Sequence, residues 1–366
     1  MAEKVTCRIA DSINDIHKPD WDSVMEDIPE GYHFYKTMEE SGLKEFSFHY
    51  AVIHRGKKVL MIAPLFTADL NLDIPIGGRI QTAIQRVRRH LPGFMVVKTL
   101  FCGSPFGESG NLGLKTGLRH KENRLIIFKL AKAMDSLCRT RGIPFLVFKD
   151  FLAKDTANLD PLKSRLFFKL ESLPSVIMDL DFKSMDEYMG SLKPSRRKDF
   201  RRKLKKAHRA DIRIEVAEDV KNIIEDIYRL YLNTYNAGAV KFEKLTKDFF
   251  LNISRNMNGR AKFFLYYVNG RLGAFNLCFI HEDLFIDKFI GFDYDISYEH
   301  NLYFVSWYNN IEWALKNGMR YYQVGQTDYD PKIKLGGKPV SLYAYARHRN
   351  VAYNFILRYL AKLLRL

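Results

Sequence analysis

The chain has 366 residues, 47% of them hydrophobic, which is enough to bury a large core in two domains or in one domain with two similar halves. Lys and Arg number 58 against 42 Asp and Glu, so the formal net charge is +16. A charge of this sign and size predicts an anionic partner such as a nucleotide, a nucleic acid or an acidic lipid surface.

The cysteines and the apolar segments indicate which kinds of site and which cellular compartment to expect. The four cysteines are widely spaced and form no paired ligand pattern, which argues against a zinc site and a disulfide framework: Cys7, Cys102, Cys138 and Cys278. The N-terminal residues lack the apolar run of a signal peptide, and no window reaches the roughly 18 apolar residues of a spanning helix. We therefore expect a cytoplasmic protein that touches a membrane, if at all, at its inner surface.

The first half begins with a hairpin and a basic helix. HYAVIHRGKKVLMIAPLF (49–66) predicts two strands around Gly56. In GGRIQTAIQRVRRHLPGF, Ile80, Ile84, Val87 and Leu91 share one helical face, whereas the arginines lie largely on the others: Arg79, Arg86, Arg88 and Arg89. This pattern is typical of a basic amphipathic surface helix.

A glycine-rich loop, a helix and a strand follow. GSPFGESGNLG (103–113) comes after an apolar strand, and its Ser104 and Glu108 are candidates for binding an acceptor, although the loop could simply turn the chain. Residues 122–148 then carry apolar side chains near helical spacing, a stop at Gly142 and the strand IPFLVF.

The most basic stretch of the chain is SLKPSRRKDFRRKLKKAHR (191–209), with ten Lys and Arg against Asp199 alone. Phe200, Leu204 and Ala207 recur at helical spacing, which predicts a helix over 195–209 with one thin apolar seam. Like charges one turn apart repel, so we expect an anion or an acidic surface to offset them. A solvated basic face without a ligand is the alternative.

The second half repeats the order of the first. KFFLYYVNGRLGAFNLCFI (262–280) has an Asn269-Gly270 hairpin signature, and residues 300–325 predict an aromatic-rich helix that ends at Gly318 before another strand. This recurrence predicts two related α/β domains in tandem, 1–170 and 171–366. The first has the longer spacer, which places an insertion near 69–111.

The C-terminal segment VAYNFILRYLAKLLRL predicts an amphipathic helix with interspersed cations. Its apolar residues are Phe355, Ile356, Tyr359, Leu360, Leu363 and Leu364. We expect this helix to dock on the core through that face, with anchoring at a membrane interface as the alternative.

Several segments together carry a resemblance to a known family. RRKDFRRKLKKA, the second hairpin, GFDYDISYEHNLYF, WALKNG, YYQVG and PKIKLGG resemble the C-terminal half of the Fem-type (FemAB-like) tandem-GNAT acyltransferases, over roughly residues 180–345. The resemblance implies two GNAT-like domains, each with a mixed, mostly antiparallel sheet flanked by helices. It also implies transfer of an acyl or aminoacyl group to an amine.

The resemblance further implies an active-site lysine in a K-x-x-[F/L]-G segment, which matches Lys332 with Gly336. Pro331 stands where the family pattern has a tyrosine, so Tyr329 is only an approximate match for that tyrosine. Lys334 is the second candidate for stabilising negative charge on the reacting ester.

Acyl transfer to an amine requires a base, stabilisation of the oxyanion and a place for the donor. Asp287 and His300 are the candidate bases, with Asp293 and Glu299 as further carboxylates. Tyr303 and Tyr329 are candidates for giving a proton to the leaving group. No metal and no tightly bound cofactor is expected.

The donor is expected to bind the basic block, through Arg196, Arg197, Arg201, Arg202 and Lys205. Before the helix at 301 the chain reads DYDISYEHN, which lacks the glycine-rich pyrophosphate loop of acetyl-CoA enzymes. The first interpretation is N-acyl transfer from acyl-CoA to an amine-bearing lipid or envelope precursor at an anionic membrane. The alternatives are aminoacyl transfer from tRNA and a catalytically silent module that binds nucleic acid.

Overall fold

The computed structural model describes residues 3–25, 28, 30–72, 78–238 and 244–363, with backbone alone for 78–81. The chain divides into two compact units. Unit 1 comprises residues 1–27, 44–174 and 341–366, and unit 2 comprises residues 28–43 and 175–340.

Unit 1 contains a mixed sheet with helices on its faces. Its strands are β1 (Val5–Ala10), β2 (Ser47–Arg55), β3 (Lys58–Asn71), β4 (Val96–Cys102), β5 (Gly113–Leu114) and β6 (Phe145–Leu152). Its helices are α1 (Lys18–Asp22), α3 (Gly78–His90), α4 (His120–Thr140), α5 (Thr156–Leu159) and α13 (Val351–Leu363). The strand β13 (Lys338–His348) crosses the division between the two units.

The strands of unit 1 follow the order β1-β2-β3-β4-β6-β13, and β5 pairs with β3. All these pairs are antiparallel except β4 with β6, which is parallel and connected through α4. One face of the sheet packs against α4 in a core that includes Leu130 and Phe148. The other face forms a second apolar cluster with Phe66, Phe101 and Ala361.

Unit 2 also contains strands of mixed direction. Its elements are α2 (Tyr32–Glu40), α6 (Met185–Ser191), α7 (Pro194–Ala207), β8 (Ile212–Ala217), α8 (Ile224–Ala237), α9 (Lys247–Asn256), β9 (Ala261–Val268), β10 (Arg271–His281), β11 (Leu284–Phe292), α10 (Tyr294–His300), α11 (Leu302–Lys316), β12 (Tyr321–Gln323) and α12 (Tyr329–Lys334). The strand β7 (Phe168–Asp179) crosses the division.

The strand order in unit 2 is β7-β12-β11-β10-β9-β8. The pair β11 and β12 is parallel and the other pairs are antiparallel. A core of large side chains, including Phe264, Tyr266 and Trp307, lies between this sheet and α11. Each unit thus has a run of antiparallel strands, then a helix, then a parallel strand, which confirms the predicted tandem α/β architecture.

The predicted hairpins and helices are found close to their expected positions. Asn269 and Gly270 both adopt positive φ, at 49° and 78°, the conformation that a two-residue hairpin turn requires. The basic helix α7 begins at Pro194 and ends at Ala207. Its seam packs as predicted, since Phe200 and Ala207 are buried and Leu204 packs against the core of unit 2.

The two units differ from the expected division at residue 170 in two places. Residues 341–366 group with unit 1 because β13 pairs with β6 from Leu342 to His348. Residues 28–43 group with unit 2, where Phe34 of α2 packs edge-on against Phe249 and Phe279. Chain order alone does not indicate either exchange.

The C-terminal helix α13 does not pack as expected. It contacts unit 1 through the buried Asn354 and Ala361 and the half-buried Leu357, whereas the apolar residues expected to face the core are exposed. The exposed residues are Phe355, Ile356, Tyr359, Leu360 and Leu363; Leu364 lies outside the described residues. A small side chain and an amide suit close approach to the sheet, and the bulky residues occupy the remaining faces.

Candidate active site

A carboxylate held by neutral donors lies inside unit 2. Asp287 is on β11, and its two oxygens accept hydrogen bonds from the Asn276 amide nitrogen at 2.9 and 3.0 Å. The Tyr322 hydroxyl donates a third hydrogen bond at 3.1 Å. The strands β10, β11 and β12 are neighbours in the sheet, so their inward side chains meet at this carboxylate.

The donors to Asp287 form a longer chain of hydrogen bonds. The Tyr266 hydroxyl donates to the side-chain oxygen of Asn310 at 3.1 Å, and the Asn310 amide donates to the Tyr322 hydroxyl at 3.0 Å. Burial raises the pKa of Tyr322 well above its usual value, and the charge of Asp287 adds to the shift. These tyrosines therefore stay protonated and can act only as neutral donors at neutral pH.

Tyr303, on α11, brings a second predicted residue to the same place. Its pKa lies above the usual value, chiefly because of burial and also because Asp287 and Asp328 are negatively charged nearby. Within the described part of the chain its buried hydroxyl has no hydrogen-bond partner. A buried hydroxyl without a partner is costly, so it is a candidate for contact with a substrate atom.

The loop with Lys332 is attached to this region through Tyr188. The Tyr188 hydroxyl receives a hydrogen bond from the Trp307 indole at 2.9 Å and donates one to the Leu335 carbonyl at 2.9 Å. Trp307 lies one turn after Tyr303 on α11, and their rings are 6.3 Å apart. Lys332 is half-buried on α12.

Two other predicted residues of α12 have different surroundings. Tyr329 is half-buried and packs against the core of unit 2. Lys334 is exposed and forms an ion pair with Asp330. Lys332 is therefore the better placed of the two lysines.

The basic helix α7 lies against α11 and next to the Lys332 loop. Phe200 packs on Phe304 with ring centroids 5.5 Å apart, and the Lys203 amine lies 3.6 Å from the centre of the same Phe304 ring. Leu192, two residues before the helix, is close enough to contact a side chain at Gly336. The residues that lead into α7 thus lie beside the residues that follow α12 within unit 2.

The predicted cations of α7 differ in their partners. Arg197 donates to the Gly190 carbonyl at 2.9 Å, and Arg202 pairs with Asp199 at 2.6 Å. Arg196, Arg201 and Lys205 are exposed and have no ion-pair partner among the residues that the structure describes. These three cations are therefore available to an external anion.

The remaining candidates near α10 are not brought to Asp287 by any described contact. His300 is half-buried at the end of α10, and its nearest acid is Glu299 at 3.7 Å. Asp293 is buried and is held by Arg271 at 2.5 Å and Arg229 at 3.3 Å. Asp293 is thus committed to ion pairs, and the segment before α11 forms the helix α10 and not a glycine-rich loop.

Ser104 and Glu108 belong to unit 1, in the loop that follows β4. Ser104 is buried, and its hydroxyl accepts a hydrogen bond from the Phe106 backbone at 3.3 Å, which indicates a role in shaping the turn. Glu108 is half-buried. Among the described residues, no group of three or more His, Cys, Asp or Glu is arranged to hold a metal ion.

Sequence reasoning missed four residues of this site, namely Asn276, Asn310, Tyr322 and Tyr188. Asn276 could have been identified from the sequence, because it is a polar residue inside the otherwise apolar strand LGAFNLCFI. A fully buried amide requires partners, and here the partner is the candidate base.

Comparisons with known proteins agree with this fold. Curated relatives from Mycobacterium tuberculosis, which carry the name 8-amino-7-oxononanoate synthase 2, are 25% identical over 87% of this chain. The chain spans 42% of the length of those relatives. Among solved structures, FemX has a TM-score of 0.59 and 11% identity over 97% of this chain and 100% of its own.

Two further structures have the same fold. The C-terminal domain of a protein from Agrobacterium fabrum, assigned as a lysylphosphatidylglycerol synthetase, has a TM-score of 0.55 and 13% identity over 96% of this chain and 97% of its own. A tandem GNAT protein from the clavulanic acid pathway has a TM-score of 0.54 and 12% identity over 94% and 98%.

The family model described as FemAB-like, peptidoglycan biosynthesis/recognition, matches residues 99–363, which is well over half of the chain. This match confirms the resemblance noted in the sequence. The chain therefore belongs to the FemAB-like family.

Proposed function

We propose that this protein is an N-acyltransferase that moves an acyl group from an acyl-CoA to the amine of a lipid or a cell-envelope precursor. The observation that supports it most is the arrangement of Asp287 and Tyr303 in unit 2. It combines a carboxylate that accepts hydrogen bonds from Asn276 and Tyr322 with a protonated hydroxyl that lacks a described partner.

In this proposal the amine nitrogen attacks the thioester carbonyl, the carbon–nitrogen bond forms and the carbon–sulfur bond breaks. Asp287 accepts the proton that the attacking amine loses, and this proton balances the one that the leaving thiolate takes up. The Tyr303 hydroxyl donates a hydrogen bond to the oxyanion, because its raised pKa keeps it protonated. Lys332 adds positive charge on the side of α12.

The phosphates of the donor bind to α7. Arg196, Arg201 and Lys205 offer three cations without described acidic partners, on a helix that packs against the helix of Tyr303. The turn before α11 offers no such site, since it is occupied by α10 and its acidic residues. Lys334 is engaged with Asp330 and contributes less.

The name of one structural neighbour supports a lipid acceptor. A lysylphosphatidylglycerol synthetase is named for a product in which an aminoacyl group is joined to a lipid.

Aminoacyl transfer from tRNA is the second candidate, because the unpaired cations of α7 also suit the phosphates of an RNA backbone. Aminoacyl-tRNA has a reactive ester in place of the thioester, and the same base and hydrogen-bond donor would serve. The two donors differ in how many phosphates they present to the protein.

The test compares the two donors directly. Purified protein is given a long-chain acyl-CoA and an amine-bearing lipid, and thiol release and amide formation are followed; a parallel reaction supplies aminoacyl-tRNA. We expect amide formation with acyl-CoA and none with aminoacyl-tRNA. The KM for acyl-CoA should rise about tenfold or more in Arg201→Glu/Lys205→Glu. Lys57→Glu/Lys58→Glu, an exposed pair in unit 1, is the matched charge control. Transfer only from tRNA would replace the first proposal with the second.

A further inference from the structure

The C-terminal helix α13 is held firmly on unit 1 by a narrow stripe of residues. The Asn354 side chain accepts a hydrogen bond from the His348 backbone at 2.8 Å and donates one to the Leu166 carbonyl at 3.0 Å. Leu357 and Ala361 complete the stripe at helical spacing. These contacts fix which face of the helix points to solvent.

The face opposite this stripe is apolar. At about 100° per residue, Phe355, Ile356, Tyr359 and Leu363 lie roughly opposite Asn354 and Ala361. They are 54–70% exposed, although aromatic and aliphatic residues of this size are usually buried. An anchored helix that presents contiguous large apolar side chains marks an interaction surface.

The charges beside this face are positive. Arg358 and Lys362 lie on one flank of α13 and line a groove of about 210 Å³ together with Lys169 and with Lys163, which pairs with Asp160 outside the groove lining. In the sequence, no Asp or Glu follows Asp330, whereas eight Lys and Arg do. The partner of this surface therefore combines an apolar interior with anionic groups at its edge.

Unit 1 contains a second basic amphipathic helix, α3. Val87 on this helix and Leu91 and Phe94 just after it are exposed, and residues 74–107 contain no Asp or Glu. Two helices of unit 1 thus combine exposed apolar side chains with positive charge.

We propose that this face of unit 1 docks on an anionic phospholipid surface, with the apolar side of α13 inserted at the interface and the cations of the groove at the phosphates. The apolar side faces away from the protein along the whole helix, which suits a planar apolar phase. In the part of the chain that the structure describes, no helix is long and apolar enough to cross a bilayer. This inference extends the proposed function, because it states which surface of the protein contacts the membrane that contains a lipid acceptor. Its evidence comes from unit 1, whereas the candidate active site lies in unit 2.

Vesicle binding tests the proposal. The intact protein is sedimented with phosphatidylcholine vesicles that contain or lack phosphatidylglycerol. Phe355→Ser/Tyr359→Ser/Leu363→Ser should lower the partition coefficient about a hundredfold, since three side chains lose their transfer into the interface. Arg358→Glu/Lys362→Glu should lower it about tenfold or more on anionic vesicles alone. Tyr298→Ser, a 75% exposed tyrosine of unit 2, is the matched control and should bind like the natural protein.

A reporter variant makes the result independent of stability. In Phe355→Trp the added indole is exposed in solution, and its emission should shift to shorter wavelength with anionic vesicles. Vesicle binding that persists in the triple variant, or an indole that stays in water while the protein sediments, would overturn the proposal.

The other occupant of this face is a second copy of the chain. A dimer in solution that the triple variant converts to monomer, with no vesicle binding by either protein, would refute the proposal in favour of that contact. Transfer to a water-soluble amine is measured alongside. If membrane docking fails while transfer persists, the proposed function stands; if transfer is absent while docking persists, only the proposed function falls.

Discussion

Asp287→Asn separates a catalytic carboxylate from a structural one. The substitution keeps the size of the side chain and one oxygen, but it removes the charge that receives hydrogen bonds from Asn276 and Tyr322. If Asp287 is the base, the amine loses its proton acceptor. A positioned general base typically contributes a factor of about 10²–10⁴, so kcat/KM should fall by that factor.

The expected change in stability is much smaller than this loss. Hydrogen bonds to a charged acceptor contribute about 1.5–3 kcal/mol each and neutral ones about 1 kcal/mol, so weakening them costs about 1–3 kcal/mol. Removing a charge from a low-dielectric site offsets part of this cost. A domain that is stable by 5–15 kcal/mol stays folded after such a change, so unfolding cannot produce the loss of rate.

The assay is acyl transfer to a water-soluble amine across a pH series, with denaturant unfolding of the same samples. The variant should transfer slowly at every pH of the series, because an amide cannot accept the proton of the attacking amine. Tyr322→Phe removes one donor but keeps the charge, so it should cost no more than about tenfold. The reasoning is refuted if Asp287→Asn retains more than a tenth of the activity.

Three further changes test the surroundings of the site. Tyr303→Phe removes a hydroxyl that has no described partner, so stability should stay equal or rise by about 1 kcal/mol while kcat falls about 10²-fold; a loss of both would assign it a structural role. Gly337→Ala puts a Cβ 2.5 Å from the Cγ1 of Val176 and 3.0 Å from the Lys332 carbonyl oxygen, and should cost about 1–3 kcal/mol in urea unfolding, whereas Gly190→Ala, with open space around it, should cost nothing. Lys288→Met leaves Glu30 buried without its ion-pair partner and should cost about 3–5 kcal/mol, and a cost below 1 kcal/mol would show that the pair is solvated.

The sequence predicted those parts of the fold that depend on neighbouring residues. The Asn269-Gly270 turn requires positive φ at two adjacent positions, which these residue types favour, and it is found where expected. The seam of α7 follows from helical spacing alone, and it packs as expected. Local geometry is sufficient for such elements because few other arrangements satisfy them.

The sequence did not predict contacts that depend on strand order. Asp287 and Tyr322 meet because β12 pairs in parallel with β11. The sequence of β12, a strand of only three residues, does not reveal which strand it pairs with or in which direction. The pairing of β13 with β6 also joins segments nearly 200 residues apart. Periodicity identified α13 as amphipathic, but it could not show that the narrow face of Asn354 and Ala361 would be the buried one.

The distribution of charge in unit 2 favours α7 as the donor site, and ligand binding can test this. The buried acid Asp293 has two arginine partners, whereas Arg201 and Lys205 have no described acidic partner and repel their neighbours along the helix. CoA without an acyl group should therefore stabilise the protein, by about 2.7 kcal/mol at a hundred times its Kd, and salt should weaken the effect.

Arg201→Glu/Lys205→Glu should abolish this stabilisation by CoA while the unliganded protein unfolds at an equal or higher denaturant concentration, because the self-repulsion is relieved. Stabilisation that survives in the variant would place the phosphates elsewhere. Stabilisation that disappears would connect the most basic segment of the chain with the helix that carries Tyr303, since Phe200 and Phe304 join the two helices directly.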